Sequence, residues 1–169
     1  MMRINVAQQL KGPVGEARHY HLEETTREGF PLQGDLELIR TDRGILVTGE
    51  LEARVRADCS RCLEEFELSL HLTLEEEYFP AKDLPAIFDS LSSEEREGFL
   101  IGEDNTLDLE EAVRQHILLN FPIKPICRPD CAGLCPHCGQ NLNQGSCNCS
   151  QEFIDTRLSP LKDLLYRID

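Results

Sequence analysis

The chain has 169 residues, 40% of them hydrophobic, which suits one domain with an appendage or two small domains. Its 31 acidic residues outweigh 17 basic ones, for a net charge of −14. Such a chain repels a phosphate backbone at long range, so a basic protein partner is favoured over naked nucleic acid unless a local basic patch exists.

Trp is absent and aromatics are only 6%, so platforms for stacking single-stranded bases are scarce. The acidic excess is concentrated in residues 76–126. Residues Met1 to Val14 hold no apolar run of the signal-peptide kind, and no stretch approaches the ~20 apolar residues of a membrane helix. A cytoplasmic protein without a membrane partner is expected. In a reducing compartment, eight cysteines point to metal or redox chemistry before disulfides.

In chain order, weak strands are predicted near Arg3–Leu10 and Ala17–Glu23, and a clearer one over 34–41. The turn Asp42-Arg43-Gly44 leads into residues 45–59, where Ile45, Val47, Leu51, Ala53, Val55, Ala57 and Cys59 alternate with polar residues. The same period of two recurs at Phe66, Leu68, Leu70, Leu72 and Leu74. The two runs meet at Cys59-Ser60-Arg61-Cys62, so a hairpin with a C-x-x-C tip is predicted. Residues 1–79 thus read as an antiparallel β-domain, meander or barrel-like, with one polar face.

Residues 80–106, with Pro80, Pro85, Gly98, Gly102 and many acids, read as a loop or linker; Ser92-Ser93-Glu94-Glu95 suits one helical turn. Residues 107–126 should hold a helix opened by a capping-box-like pair, Asp108 with Glu111, and closed at Phe121-Pro122, then an extended connector. Residues 127–169 form a cysteine-rich segment. A final helix is expected from Ser159-Pro160, with Leu161, Leu164, Leu165 and Ile168 as its apolar stripe. The fold class is α+β: an antiparallel β-rich N-terminal domain, a helix and a zinc-bound C-terminal segment.

Six cysteines fall within 127–149. Cys135-Pro136-His137-Cys138-Gly139 places two thiolates two residues apart, and the glycine permits the tight turn that aims backbone N–H groups at sulfur. Cys147 and Cys149 supply a second close pair, giving the four-thiolate set that zinc prefers. Cys127, Cys131, Cys59 and Cys62 remain and could form a second site fastening the β-domain to the C-terminal segment. Other partitions stay open, iron–sulfur ligation uses the same donors, and His137 could replace a thiolate. Cys135-Pro136-His137-Cys138 also suits a thiol–disulfide oxidoreductase, but the strand–helix context that such a dithiol needs does not precede it. Four thiolates leave no open position for water, so the zinc is expected to be structural.

No phosphate-binding loop, dinucleotide fingerprint, catalytic triad or zinc-protease motif occurs, so no enzymatic activity is expected. His19, His21 and His116 read as exposed or packed histidines. Arg54, Arg56 and Arg61 read as cross-strand partners of Glu64, Glu65 or Glu67 before they read as a phosphate contact.

The hairpin Val55-Arg56-Ala57-Asp58-Cys59-Ser60-Arg61-Cys62-Leu63 is followed by Phe121-Pro122. Next comes the run Gly133-Leu134-Cys135-Pro136-His137-Cys138-Gly139-Gln140-Asn141-Leu142-Asn143, then Cys147-Asn148-Cys149. This series, over about the whole chain, resembles the YceD family, the large ribosomal RNA subunit accumulation proteins. The resemblance implies a bacterial factor needed for normal levels of large-subunit ribosomal RNA, with a plant organelle branch and no catalytic residue to carry over. It implies that Cys59 and Cys62 belong to the widespread motif, while the distal cysteines mark one branch. Asp155-Thr156-Arg157 stands where members often have Asp-Pro-Arg. The expected partners are large-subunit ribosomal RNA, a basic ribosomal protein, or both, with Zn2+ as cofactor and no small-molecule substrate.

Overall fold

The protein is described by a computed structural model that covers residues 2–80, 98–149 and Arg157. The turn expected at Ser92–Glu95 and the helix expected from Ser159 lie outside the described residues. Strands β1 (Arg3–Asn5), β2 (Ala17–Thr25), β3 (Pro31–Arg40), β4 (Ile45–Asp58) and β5 (Glu65–Pro80) come first, with a short 3₁₀ turn at Gln9–Lys11. Strands β6 (Leu100–Ile101) and β7 (Thr106–Asp108) and helix α1 (Glu110–Asn120) follow. The chain is α+β: β2 to β5 run as an antiparallel meander, β6 joins the edge of β5 in parallel, and β1 pairs with β7.

Strict alternation sets the register. Val47 lies between Leu38 and Glu76, and Leu51 between Gly34 and Leu72. A one-residue slip would turn every apolar side chain to water, so this register is strongly specified. Leu36, Leu38, Ile45, Val47, Leu51, Leu72 and Leu74 are buried on one face. Ile4 of β1, Leu107 of β7, Val113 and Ile117 of α1, and the adjoining Val6 and Leu109 complete the same core. The N-terminal strand therefore closes against residues beyond 98, and α1 packs on β5.

Among the described residues, no element packs on the opposite face of the sheet. Asp35, Glu37, Glu50, Glu52, Glu75 and Glu77 lie on it, in register rows with His19, His21 and His71. His21 Nδ1 lies 2.7 Å from Asp35 Oδ1, and His19 Nε2 lies 3.6 Å from Glu37 Oε1. Glu76 instead points to the helix side, where its carboxylate meets His116 Nε2 at 3.3 Å.

The start of α1 differs from the sequence expectation. Asp108 ends β7 and accepts the Glu110 N–H at 3.0 Å. Glu111 does not reach back to complete the box; its carboxylate is held by Arg114 at 2.8 Å and by Gln115 at 2.9 Å. An arginine one turn on outcompetes a backbone N–H for that carboxylate, because the bond joins two charges.

Candidate metal centres

The β4–β5 hairpin runs past the main core, and its tip buries a small separate cluster of Cys59, Cys62 and Cys131, with Phe66 and Cys127 against it. Two local turns build the sites, and they share one design. In the hairpin, Cys59 N–H donates to Glu64 O, Leu63 N–H donates to Cys59 O, and Arg61 N–H points to Cys59 Sγ at 3.5 Å. In the distal turn, Cys135 N–H donates to Gln140 O, Gly139 N–H donates to Cys135 O, and His137 N–H points to Cys135 Sγ at 3.4 Å. The residue after the second cysteine is left-handed in both: Gly139 has φ 74° and Leu63 has φ 59°. Glycine adopts that conformation freely; leucine does so at a cost.

Eight sulfurs gather as two sets of four. Cys59, Cys62, Cys127 and Cys131 form one, Cys135, Cys138, Cys147 and Cys149 the other, and within each set the sulfurs lie within 4.8 Å of one another. His137 contributes its backbone N–H and is not in the converging set. In the hairpin set, Cys59 Sγ and Cys131 Sγ are 3.8 Å apart, as are Cys62 Sγ and Cys127 Sγ. A tetrahedron of zinc–sulfur bonds of about 2.3 Å has edges of about 3.8 Å. All eight cysteines are free thiols. Each set can therefore hold one metal ion.

Burial pushes the Cys59 thiol up, but hydrogen bonds from the backbone of Cys127, Cys62 and Arg61 more than offset it and bring it down to about 6. The backbone of Cys138 and His137 brings Cys135 down to about 6 in the same way. Burial, then its sulfur neighbours, push Cys127 up to about 12; Cys138, then burial, do the same for Cys149. One thiol of each set is thus poised to ionise while another holds its proton. A bound dication removes that opposition, because metal ligation requires thiolates.

The two sets are joined through the hairpin tip. Leu134 N–H donates to Arg61 O, and Arg61 Nη1 donates to Cys131 O at 3.0 Å. Gln144 Nε2 donates to Glu64 Oε1 at 2.6 Å. Gly133 has φ 75°, a backbone conformation that favours glycine, and a Cβ there would sit tightly against Arg61 O at 3.1 Å. Arg61 is thus spent on carbonyl oxygens, whereas Arg56 reaches Glu65 at 3.9 Å across the strands. Sequence reasoning missed the left-handed Leu63 and the carbonyl contacts of Arg61. The shared C-x-x-C spacing, with Leu63 standing where the other turn has glycine, was the available signal for the first.

Fold and site define a class: an antiparallel sheet protein carrying a pair of four-cysteine knuckle clusters. The chain belongs to the YceD family, described as Large ribosomal RNA subunit accumulation protein YceD, which it matches over residues 47–165. It is similar to an uncharacterized protein of Mycobacterium tuberculosis, at 35% identity over 82% of this chain and 64% of that protein. It is also similar to the large ribosomal RNA subunit accumulation protein YCED homolog 1, chloroplastic, of Arabidopsis thaliana. There the identity is 26% over 81% of this chain and 49% of the plant protein. The chain therefore spans less than two thirds of the length of these relatives. No solved structure matches it. Among the described residues, no helix is long and apolar enough to cross a membrane.

Proposed function

We propose that the protein is a non-enzymatic cytoplasmic factor that supports large-subunit ribosomal RNA accumulation and ribosome assembly, with a structural Zn2+ in each cysteine set. Cys135, Cys138, Cys147 and Cys149 would hold one ion, and Cys59, Cys62, Cys127 and Cys131 the other. Zinc with four thiolates supplies a fastening and no open position for a reacting water. The family match and the name of the plant relative support the ribosomal reading.

The observation that carries the mode of action is the open sheet face. Six carboxylates, from Asp35 to Glu77, lie on it, against three histidines and, towards the hairpin tip, the exposed Arg54 and Arg56. Each filled thiolate set adds further negative charge. Ribosomal RNA would be repelled by such a surface, and a basic ribosomal protein attracted. The partner is therefore a basic large-subunit protein first, with ribosomal RNA reached through it.

The test is to purify the tagged full-length chain from its own cells, treat half with RNase, and identify bound RNA and protein in both halves. Large-subunit RNA and ribosomal proteins should be present without RNase, and a basic ribosomal protein should remain after it. If all ribosomal protein leaves with the RNA, the protein-directed mode is wrong. If neither is present and oxidised clients appear in mixed disulfides, the ribosomal reading falls and the oxidoreductase reading at Cys135 and Cys138 replaces it.

A further inference from the structure

The loop between Cys138 and Cys147 belongs in sequence to the distal set, yet one of its side chains serves the hairpin set. Asn143 Nδ2 donates to Cys131 Sγ at 3.3 Å. The same side chain accepts, at Oδ1, the Ala132 N–H and Arg128 Nη2, both at 2.8 Å. Asn141 Oδ1 orients it by accepting from Asn143 N and Nδ2, each at 2.9 Å. Leu142 N–H donates to Gly133 O, which fixes the loop against the segment between the two sets. Both polar ends of the Asn143 amide are therefore committed, one to a sulfur and the other to the backbone that presents this sulfur.

We propose that Asn143 is a positioning residue that couples the two metal sites: an ion in the distal set fixes the Asn143 loop, and the Asn143 amide then holds Cys131 in place for the ion of the hairpin set. This rests on both sets holding metal. The physical reason is that a donor to a coordinated thiolate removes charge density that would otherwise repel the other three sulfurs, and it fixes the direction of the ligand. Outer partners of this kind are typically worth about 10–100-fold in metal affinity. The coupling runs one way through contacts, from loop to sulfur, but binding linkage makes it reciprocal: filling the hairpin set must favour the distal set by the same factor.

The chain offers its own control. Gln144, next in sequence, ties the same loop to Glu64 without touching a sulfur. Asn143→Asp keeps the acceptor for Ala132 and Arg128 and replaces the N–H donor to Cys131 Sγ and Asn141 Oδ1 with a carboxylate oxygen, so the sulfur contact is lost while the clamp on the backbone stays.

The experiment loads the full chain with cadmium-113, whose resonance reports each tetrathiolate site separately, and follows release of each ion to a chelator. The wild-type chain should bind two ions and show two resonances. Asn143→Asp should shift the hairpin-site resonance and speed release of that ion by about 10-fold or more. Gln144→Ala should change either by far less. In Cys147→Ser/Cys149→Ser chains, which cannot fill the distal set, release from the hairpin set should already be fast, and adding Asn143→Asp should change it little. Equal effects of Asn143→Asp with and without the distal cysteines, or no effect at all, would overturn the coupling while two resonances left the metal reading standing. A wild-type chain that binds fewer than two ions would overturn the two-metal reading itself, and the coupling with it.

Discussion

Leu63 and Gly139 occupy the same place in two copies of one turn, and their side chains differ in what they cost. A left-handed L-residue costs roughly 1–2 kcal/mol, and glycine carries about 0.5–1 kcal/mol of extra chain entropy on folding. Nothing lies within 4 Å of a Cβ built on Gly139, so Gly139→Ala should destabilise the metal-loaded protein by about 1 kcal/mol through φ alone. Leu63→Gly should be neutral or stabilising by less than about 1 kcal/mol, the two terms nearly cancelling. Chemical denaturation of both variants at fixed zinc checks this; a loss on Leu63→Gly beyond that range would mean that the exposed leucine makes a contact within the fold. Sequence could place both cysteine pairs, because each C-x-x-C is local and its spacing is chemistry. It could not show Asn143 reaching Cys131, since that contact depends on how one loop lies across another segment.

At the scale of elements, the long strands were legible, β1 only as part of a weak strand over Arg3–Leu10, and β6 and β7 not at all. β4 and β5, of 14 and 16 residues, carry a period of two along most of their length, lost in β5 beyond Glu75, and β2 and β3 carry weaker versions. β6 has two residues and β1 and β7 three each, too few to show any period, so their pairings come from the tertiary fold. The glycine within β4 also reads as ordinary until the partner strand is seen. A Cβ on Gly49 would stand 2.2 Å from Asp35 O and 2.9 Å from Leu36 Cα, so β3 and β4 approach there more closely than a side chain permits. Gly49→Ala should part the two strands and cost on the order of 3 kcal/mol, as overpacking against backbone does. Urea unfolding should show a lowered midpoint, and an unchanged midpoint would mean the sheet can shift to admit the methyl.

The molecule as a whole has two cores of different chemistry. One is aliphatic and spans the sheet, and the other is built of sulfur at the hairpin tip. Removing metal with a chelator should therefore loosen residues 59–64 and 127–149 while leaving the sheet intact. Hydrogen exchange would show amide protection lost at Cys59, Leu63 and Gly139 and kept at Val47 and Leu72. Acid should do the same: protons compete with metal for thiolates, so affinity falls with pH, most steeply below the value of about 6 at Cys59 and Cys135. Uniform loss of protection on chelation would mean that the sheet depends on the metal.

The hairpin cluster draws its sulfurs from positions 72 and 65 residues apart. On a growing chain this separation becomes a schedule. The sheet's long hairpin leaves the ribosome with only Cys59 and Cys62 of its set and waits, half-liganded, until Cys127 and Cys131 emerge. The distal set is complete about 18 residues later, at Cys149, and Asn143 emerges between its two cysteine pairs. The nascent protein thus carries its hairpin cysteines for some 65 residues of synthesis before the first sulfur set can close, and the distal set can close soon after.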